Sequence, residues 1–165
     1  MSRILLYGTL FLFLIIVETS FLSSLPPPFQ AIPLVPIVGI WLFHQIPSRI
    51  GVWYLLGWGI WYDAFGLSLF ASRIVIALVM IVILAYASGR VFSQHSIYGL
   101  FGLSVSVWIG WLLAEALFRF LSPSGLEIAF YGFLSRQSMI LIEILIGTGL
   151  LFILSLRVRE RLRLT

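Results

Sequence analysis

From Ile74 to Gly89 the chain carries neither a charged residue nor a proline. Runs of this kind recur at 4–22, 33–46, 50–67, 73–89, 97–120 and 136–156, separated by short polar joints. A helix of about 20 apolar residues covers the ~30 Å hydrocarbon core of a bilayer. Water is excluded as the solvent by composition: 61% of the 165 residues are hydrophobic and only 10% charged, against about 25% charged in a soluble domain. The expected fold is a single all-α integral membrane domain over 1–165, a bundle of about six transmembrane helices.

The joints follow from local chemistry. Arg3 precedes the first run, but the run exceeds a usual signal-peptide core, contains Glu18 and is followed by no small-x-small cleavage site; a retained first helix is expected. Ser23 to Pro36 holds five prolines, three of them consecutive, and these cannot continue a helix because each lacks an amide hydrogen and clashes with the preceding turn. A stiff, extended joint is predicted there. Leu34 to Gln45 is roughly 12 residues, below the ~17–25 that cross a bilayer unaided. Six crossings or, with this segment re-entrant, five therefore remain open. Ile50 to Leu67 is the most aromatic span, and its Gly51, Gly57, Gly59 and Gly66 permit the close helix approach that drives association in lipid. Ser122-Pro123-Ser124-Gly125 breaks the fifth span; Leu126 to Phe133 is apolar enough to lie on the membrane or against other helices, and the last span, Ser135 to Leu156, is followed by the basic tail Arg157 to Arg163.

Every basic residue is an arginine. With six spans and both termini cytoplasmic, Arg3, Arg49, Arg90, Arg157, Arg159, Arg161 and Arg163 fall on the inner side, seven of the ten in the chain, as the positive-inside bias requires. Threading also brings Glu18, Asp63, Glu115 and Glu143 to the outer third of the membrane, together with Arg73, Arg119 and Arg136. Glu115 and Arg119 stand i,i+4 with the acid first, the favourable order for a helical pair. Arg136 and Glu143 lie two turns apart on one face, and Asp63 and Arg73 flank a tight joint. An ionised group at mid-helix costs ~2.5–3.5 kcal/mol on insertion scales and normally faces the bundle interior, paired. A polar layer that binds a ligand or a partner segment is expected from these seven residues; hydration of each at the interface is the plain alternative.

Several classes are excluded. No cysteine is present, and His44 and His95 are far apart, so no metal or thiolate site is expected. No G-x-S-x-G elbow, H-E-x-x-H motif or phosphate-cradling glycine loop occurs. The net charge of +4 comes from joints and tail rather than from a basic patch on a soluble module, which argues against nucleic acid. The reading is of a protein that is not an enzyme and carries no cofactor.

The stretch Gly59-Ile60-Trp61-Tyr62-Asp63-Ala64-Phe65-Gly66, with Leu69-Phe70-Ala71-Ser72-Arg73, Ala77 and Ala85-Tyr86, resembles the central signature of the MreD family of bacterial rod shape-determining membrane proteins. The likeness covers the whole chain loosely and residues 57–92 most closely. It implies a multi-pass inner-membrane subunit of the cell-elongation machinery. Its partners would be an MreC-like bitopic membrane protein and, through that protein, cell-wall synthases and an actin-like filament. The family is similar in fold to the substrate-binding subunits of energy-coupling-factor (ECF) importers, which implies an alternative: a small-molecule pocket near the outer face, which the outer polar layer with Trp58, Trp61 and Tyr62 nearby would suit.

Overall fold

The computed structural model describes residues 2–27, 29, 32–45, 50–65, 72–90, 96–121 and 126–163, and the side chains of all of these except 2–4, 89–90, 121, 126–131 and 158–163. They form six α-helices and no strand: α1 (Ser2–Ile16), α2 (Leu34–Gln45), α3 (Ile50–Phe65), α4 (Ser72–Arg90), α5 (Ile97–Leu121) and α6 (Leu126–Arg163). Among the described residues three segments are long and apolar enough to cross a membrane: Leu5–Ser24, Ile97–Phe120 and Gly132–Arg157. Large apolar side chains such as Leu5, Phe13, Val82, Leu117 and Ile146 stand exposed on the outside of the bundle, where water would penalise them and lipid does not. This is a membrane protein.

Contacts fix the helix directions. Tyr54 Oη of α3 donates to the Tyr7 carbonyl of α1 at 2.7 Å, and further along the same pair Phe11 lies against Gly57, so α1 and α3 run parallel. Leu55 packs on Gly39 and Gly51 on Phe43, which makes α2 antiparallel to α3. Trp108 Nε1 donates to the Gln137 carbonyl and Ser104 meets Thr148, so α5 and α6 are antiparallel. Hence α1, α3 and α5 run towards one end of the bundle, and α2, α4 and α6 start from it.

The short helix α2 lies in the middle. It packs on α1, α3, α5 and α6, and Val35 to Ile40, Leu42, His44 and Gln45 are all buried. A helix apolar all round belongs inside a bundle, and its 12 residues reach only about 18 Å. Around it Ile40, Leu55, Met80, Leu84, Leu100 and Ile144 form the core. The helices come close because glycines let them: a Cβ on Gly51 would strike the Gly39 carbonyl oxygen, and one on Gly59 would lie 2.8 Å from both Ala77 Cβ and the Arg73 carbonyl oxygen.

Two boundaries differ from the sequence reading. Leu126 to Phe133 is not a separate piece: α6 is continuous from Leu126 to Arg163, so the expected break falls only on 122–125, outside the described residues. Nothing in 126–163 is a proline, and no residue there forces the helix to stop. The first span is helical beyond its expected end at 22, but changes its winding on the way. After Ile16 a π turn covers Val17–Phe21 and a 3₁₀ turn Leu22–Ser24, before Leu25 turns extended ahead of the prolines. Thr19 Oγ1 bonds back to the Ile15 carbonyl at 2.7 Å, a competitor for backbone bonding that bends helices.

Candidate functional site

Glu18, Asp63 and Glu115 gather at the end where α1, α3 and α5 finish. The π turn swings Glu18 into the bundle, where it is 6% exposed. One carboxylate oxygen accepts the amide hydrogen of Val35 in the first turn of α2 at 2.8 Å. The other accepts Trp58 Nε1–H and Tyr62 Oη–H of α3, each at 2.9 Å. Trp58 and Tyr62 are one helical turn apart, so both donors leave the same face of α3. Single-turn π bulges are often functional, because they re-aim a side chain without ending the helix.

Asp63 repeats the arrangement one hairpin later. Its two oxygens accept the amide hydrogens of Arg73 at 3.1 Å and Ile74 at 2.7 Å, the first turn of α4, whose amides have no partner within the helix. Gly59 stands one turn before Asp63 and admits the α4 backbone that Asp63 caps. Glu115 supplies the third case. It accepts Trp111 Nε1–H at 2.9 Å from its own helix and Gln137 Nε2–H at 2.8 Å from α6, and it pairs with Arg119 at 3.3 Å. In the first two hairpins an acid near the end of the first helix ties down the start of the second; in the third, Glu115 reaches Gln137, three turns into α6.

Between these ties lies a cavity of about 1060 Å³. Its walls are Glu18, Thr19 and Ser23 from the end of the first span, Trp58, Trp61, Tyr62 and Phe65 from α3, Arg73 from α4, Trp111 from α5, and Ser135, Arg136, Met139 and Ile140 from α6. Trp58 packs at 5.2 Å from Trp111 and 5.3 Å from Tyr62, and Arg73 lies 6.0 Å from the Trp58 ring centre.

Of the seven expected polar-layer residues, Glu18, Arg73 and Arg136 line this cavity. Glu115 and Arg119 stand behind its Trp111 wall, with the Arg119 guanidinium 4.7 Å over Phe133. Asp63 reaches Arg73 through the backbone amide, and the Arg73 guanidinium forms no ion pair among the described residues. Glu143 does not line the cavity; its Oε2 is buried without a hydrogen-bond partner among the described residues, and it makes no ion pair with Arg136 there. Gly57 meets Phe11 of α1 and Gly59 meets α4, so both serve packing inside the chain. Gly66, Arg49, His95 and the Leu69-Phe70-Ala71 part of the family-like stretch lie outside the described residues. At the opposite end His44 Nε2 contacts the Ser96 carbonyl at 3.0 Å, tying α2 to the start of α5. No group of three potential metal ligands occurs among the described residues.

Sequence reading missed Gln137, wholly buried, and the donor roles of Trp58, Tyr62 and Trp111. The signal was present: Trp58 precedes Tyr62, and Trp111 precedes Glu115, by the four residues that stack side chains on one face. No known protein family, curated protein or solved structure matches the chain.

Proposed function

We propose that the chain is a non-enzymatic scaffold subunit of the bacterial cell-elongation machinery, an MreD-like protein with six crossings of the inner membrane and both termini in the cytoplasm. It offers its lipid-facing helices to the single membrane helix of an MreC-like partner, and through that partner serves the cell-wall synthases and the actin-like filament. The observation that carries this reading is the use made of the family-like stretch: Gly59 and Asp63 lock α3 to the first turn of α4, an architectural task rather than a catalytic one. The distribution of arginines supports the orientation. The test is affinity purification from native membranes in mild detergent, with the wild type and Asp63→Ala. Co-purification of a bitopic coiled-coil protein and cell-wall synthases, reduced severalfold by Asp63→Ala, is expected. Their absence from the wild-type sample refutes the reading.

The aromatic-walled cavity favours a second reading, the substrate-binding subunit of an energy-coupling-factor importer, since its volume of about 1060 Å³ lies just above the ~300–1,000 Å³ usual for small-molecule sites. Recovery of paired ATPases with a large membrane coupling subunit would select it.

A further inference from the structure

The acids and the arginines around the cavity are not in the same state. Glu18 has both oxygens engaged by three neutral donors. Asp63 is engaged by two backbone amides, and Glu115 by an indole, an amide and Arg119. Nothing comparable satisfies the two arginines of the cavity wall. Arg73 and Arg136 make no side-chain hydrogen bond or ion pair to a described residue; Arg73 lies 6.0 Å from the Trp58 ring centre and acts on Glu115 and Tyr62 through its charge alone. Each guanidinium carries five N–H donors and no acceptor. The wall therefore presents a surplus of charged donors, and the missing component is an anion rich in oxygen acceptors.

The setting narrows the anion. The cavity lies where α3 ends and α4 begins, beside the ends of a membrane-crossing segment, so it sits at headgroup depth. Its rim carries Phe65, 71% exposed, and Met139, 46% exposed, next to Thr19, Ser23 and Ser135. The first span and α6 both pack on α2. A polar anion with an apolar continuation matches this wall; a small hydrophilic metabolite would leave the apolar rim uncovered. Two guanidiniums suit a phosphate, whose oxygens accept from both forks.

We propose that the cavity is a binding site for a phosphate group carried on an amphiphile, the headgroup of an anionic membrane lipid, held by Arg73 and Arg136. Thr19, Ser23 and Ser135 contact the polar part, and Phe65 and Met139 the start of the chains. The site does not depend on the scaffold reading, because it is a property of the isolated protein.

The experiment is titration of delipidated, detergent-purified protein with phosphatidylglycerol, followed by native mass spectrometry, with inorganic phosphate as competitor. The wild type is compared with Arg73→Gln, Arg136→Gln and, as a control with the same charge change on the exposed Arg157 further along α6, Arg157→Gln. One saturable lipid adduct is expected, weakened about tenfold by each cavity arginine substitution and unchanged by Arg157→Gln. Helix content by circular dichroism should be unaltered, since neither guanidinium bonds a described residue. Indifference to millimolar phosphate assigns the ligand to lipid; displacement by phosphate at the concentration of the lipid supports the same chemistry delivered from solution. Equal lipid binding by the cavity variants and the Arg157 control overturns the proposal.

Discussion

Replacing Glu18 by alanine removes the acceptor for Val35 N–H, Trp58 Nε1–H and Tyr62 Oη–H at once. A buried donor left unpaired costs about 1–3 kcal/mol, so three give about 3–9 kcal/mol. Glu18 lines the cavity, from which water can reach some of the freed donors, so the lower end, about 3 kcal/mol, is expected. That is a large share of the ~5–15 kcal/mol typical of a folded domain, and more than a ~100-fold change in the folded-to-unfolded ratio. Glu18→Gln should lose less, about 1–3 kcal/mol. Its carbonyl oxygen can still serve Trp58 and Tyr62, while its amide nitrogen meets the Val35 amide donor to donor. Equilibrium unfolding in mixed micelles of mild detergent and dodecyl sulfate, followed by far-ultraviolet circular dichroism, measures both. Ser20→Ala, on the exposed side of the same π turn, serves as control and should stay within about 0.5 kcal/mol. A Glu18→Ala protein as stable as that control would refute the view that this carboxylate joins the first span to α2 and α3.

Gly59→Ala should destabilise by about 1–3 kcal/mol, because its Cβ would meet Ala77 and the Arg73 carbonyl at 2.8 Å. Gly8→Ala, with nothing within 4 Å, should be neutral or mildly stabilising; thermal melts in detergent compare the two, and equal losses would show that α3 and α4 are not in close contact. Gln137→Leu keeps the volume of a wholly buried side chain but strips Glu115 of its donor from α6. A loss of about 1–3 kcal/mol is expected, and a neutral result in the same melts would remove Gln137 from the hairpin tie.

The solvent and the secondary structure were legible in the sequence, and so was the shared helix end of Glu18, Asp63 and Glu115, though Glu143, expected beside them, does not line the cavity. Apolar runs of membrane length dictate helices because lipid offers no partner for backbone amides, and the alternation of spans places Glu18, Asp63 and Glu115 at the same end. The Glu115–Arg119 pair was legible as well, since four residues on a helix fix a distance. The role of α2 was harder to read. Its 12 residues look too short to cross, and burial on all sides by four neighbours is not written in its own sequence. That 126–133 begins the last helix was harder to read too, because serine, proline and glycine at a joint say nothing about how the helix after it begins.

Composition and run length alone require a helical protein in a membrane. What each of its charges does depends on how the helices pack. In lipid a buried and an exposed helix face are equally apolar, so periodicity does not mark the interior. Glu18 finds Val35, Trp58 and Tyr62 at separations of 17, 40 and 44 residues, distances set by how close the glycines let the helices come. The same packing satisfies Glu18 with neutral donors and leaves Arg73 and Arg136 lining a cavity, an imbalance that exists only once the helices are assembled.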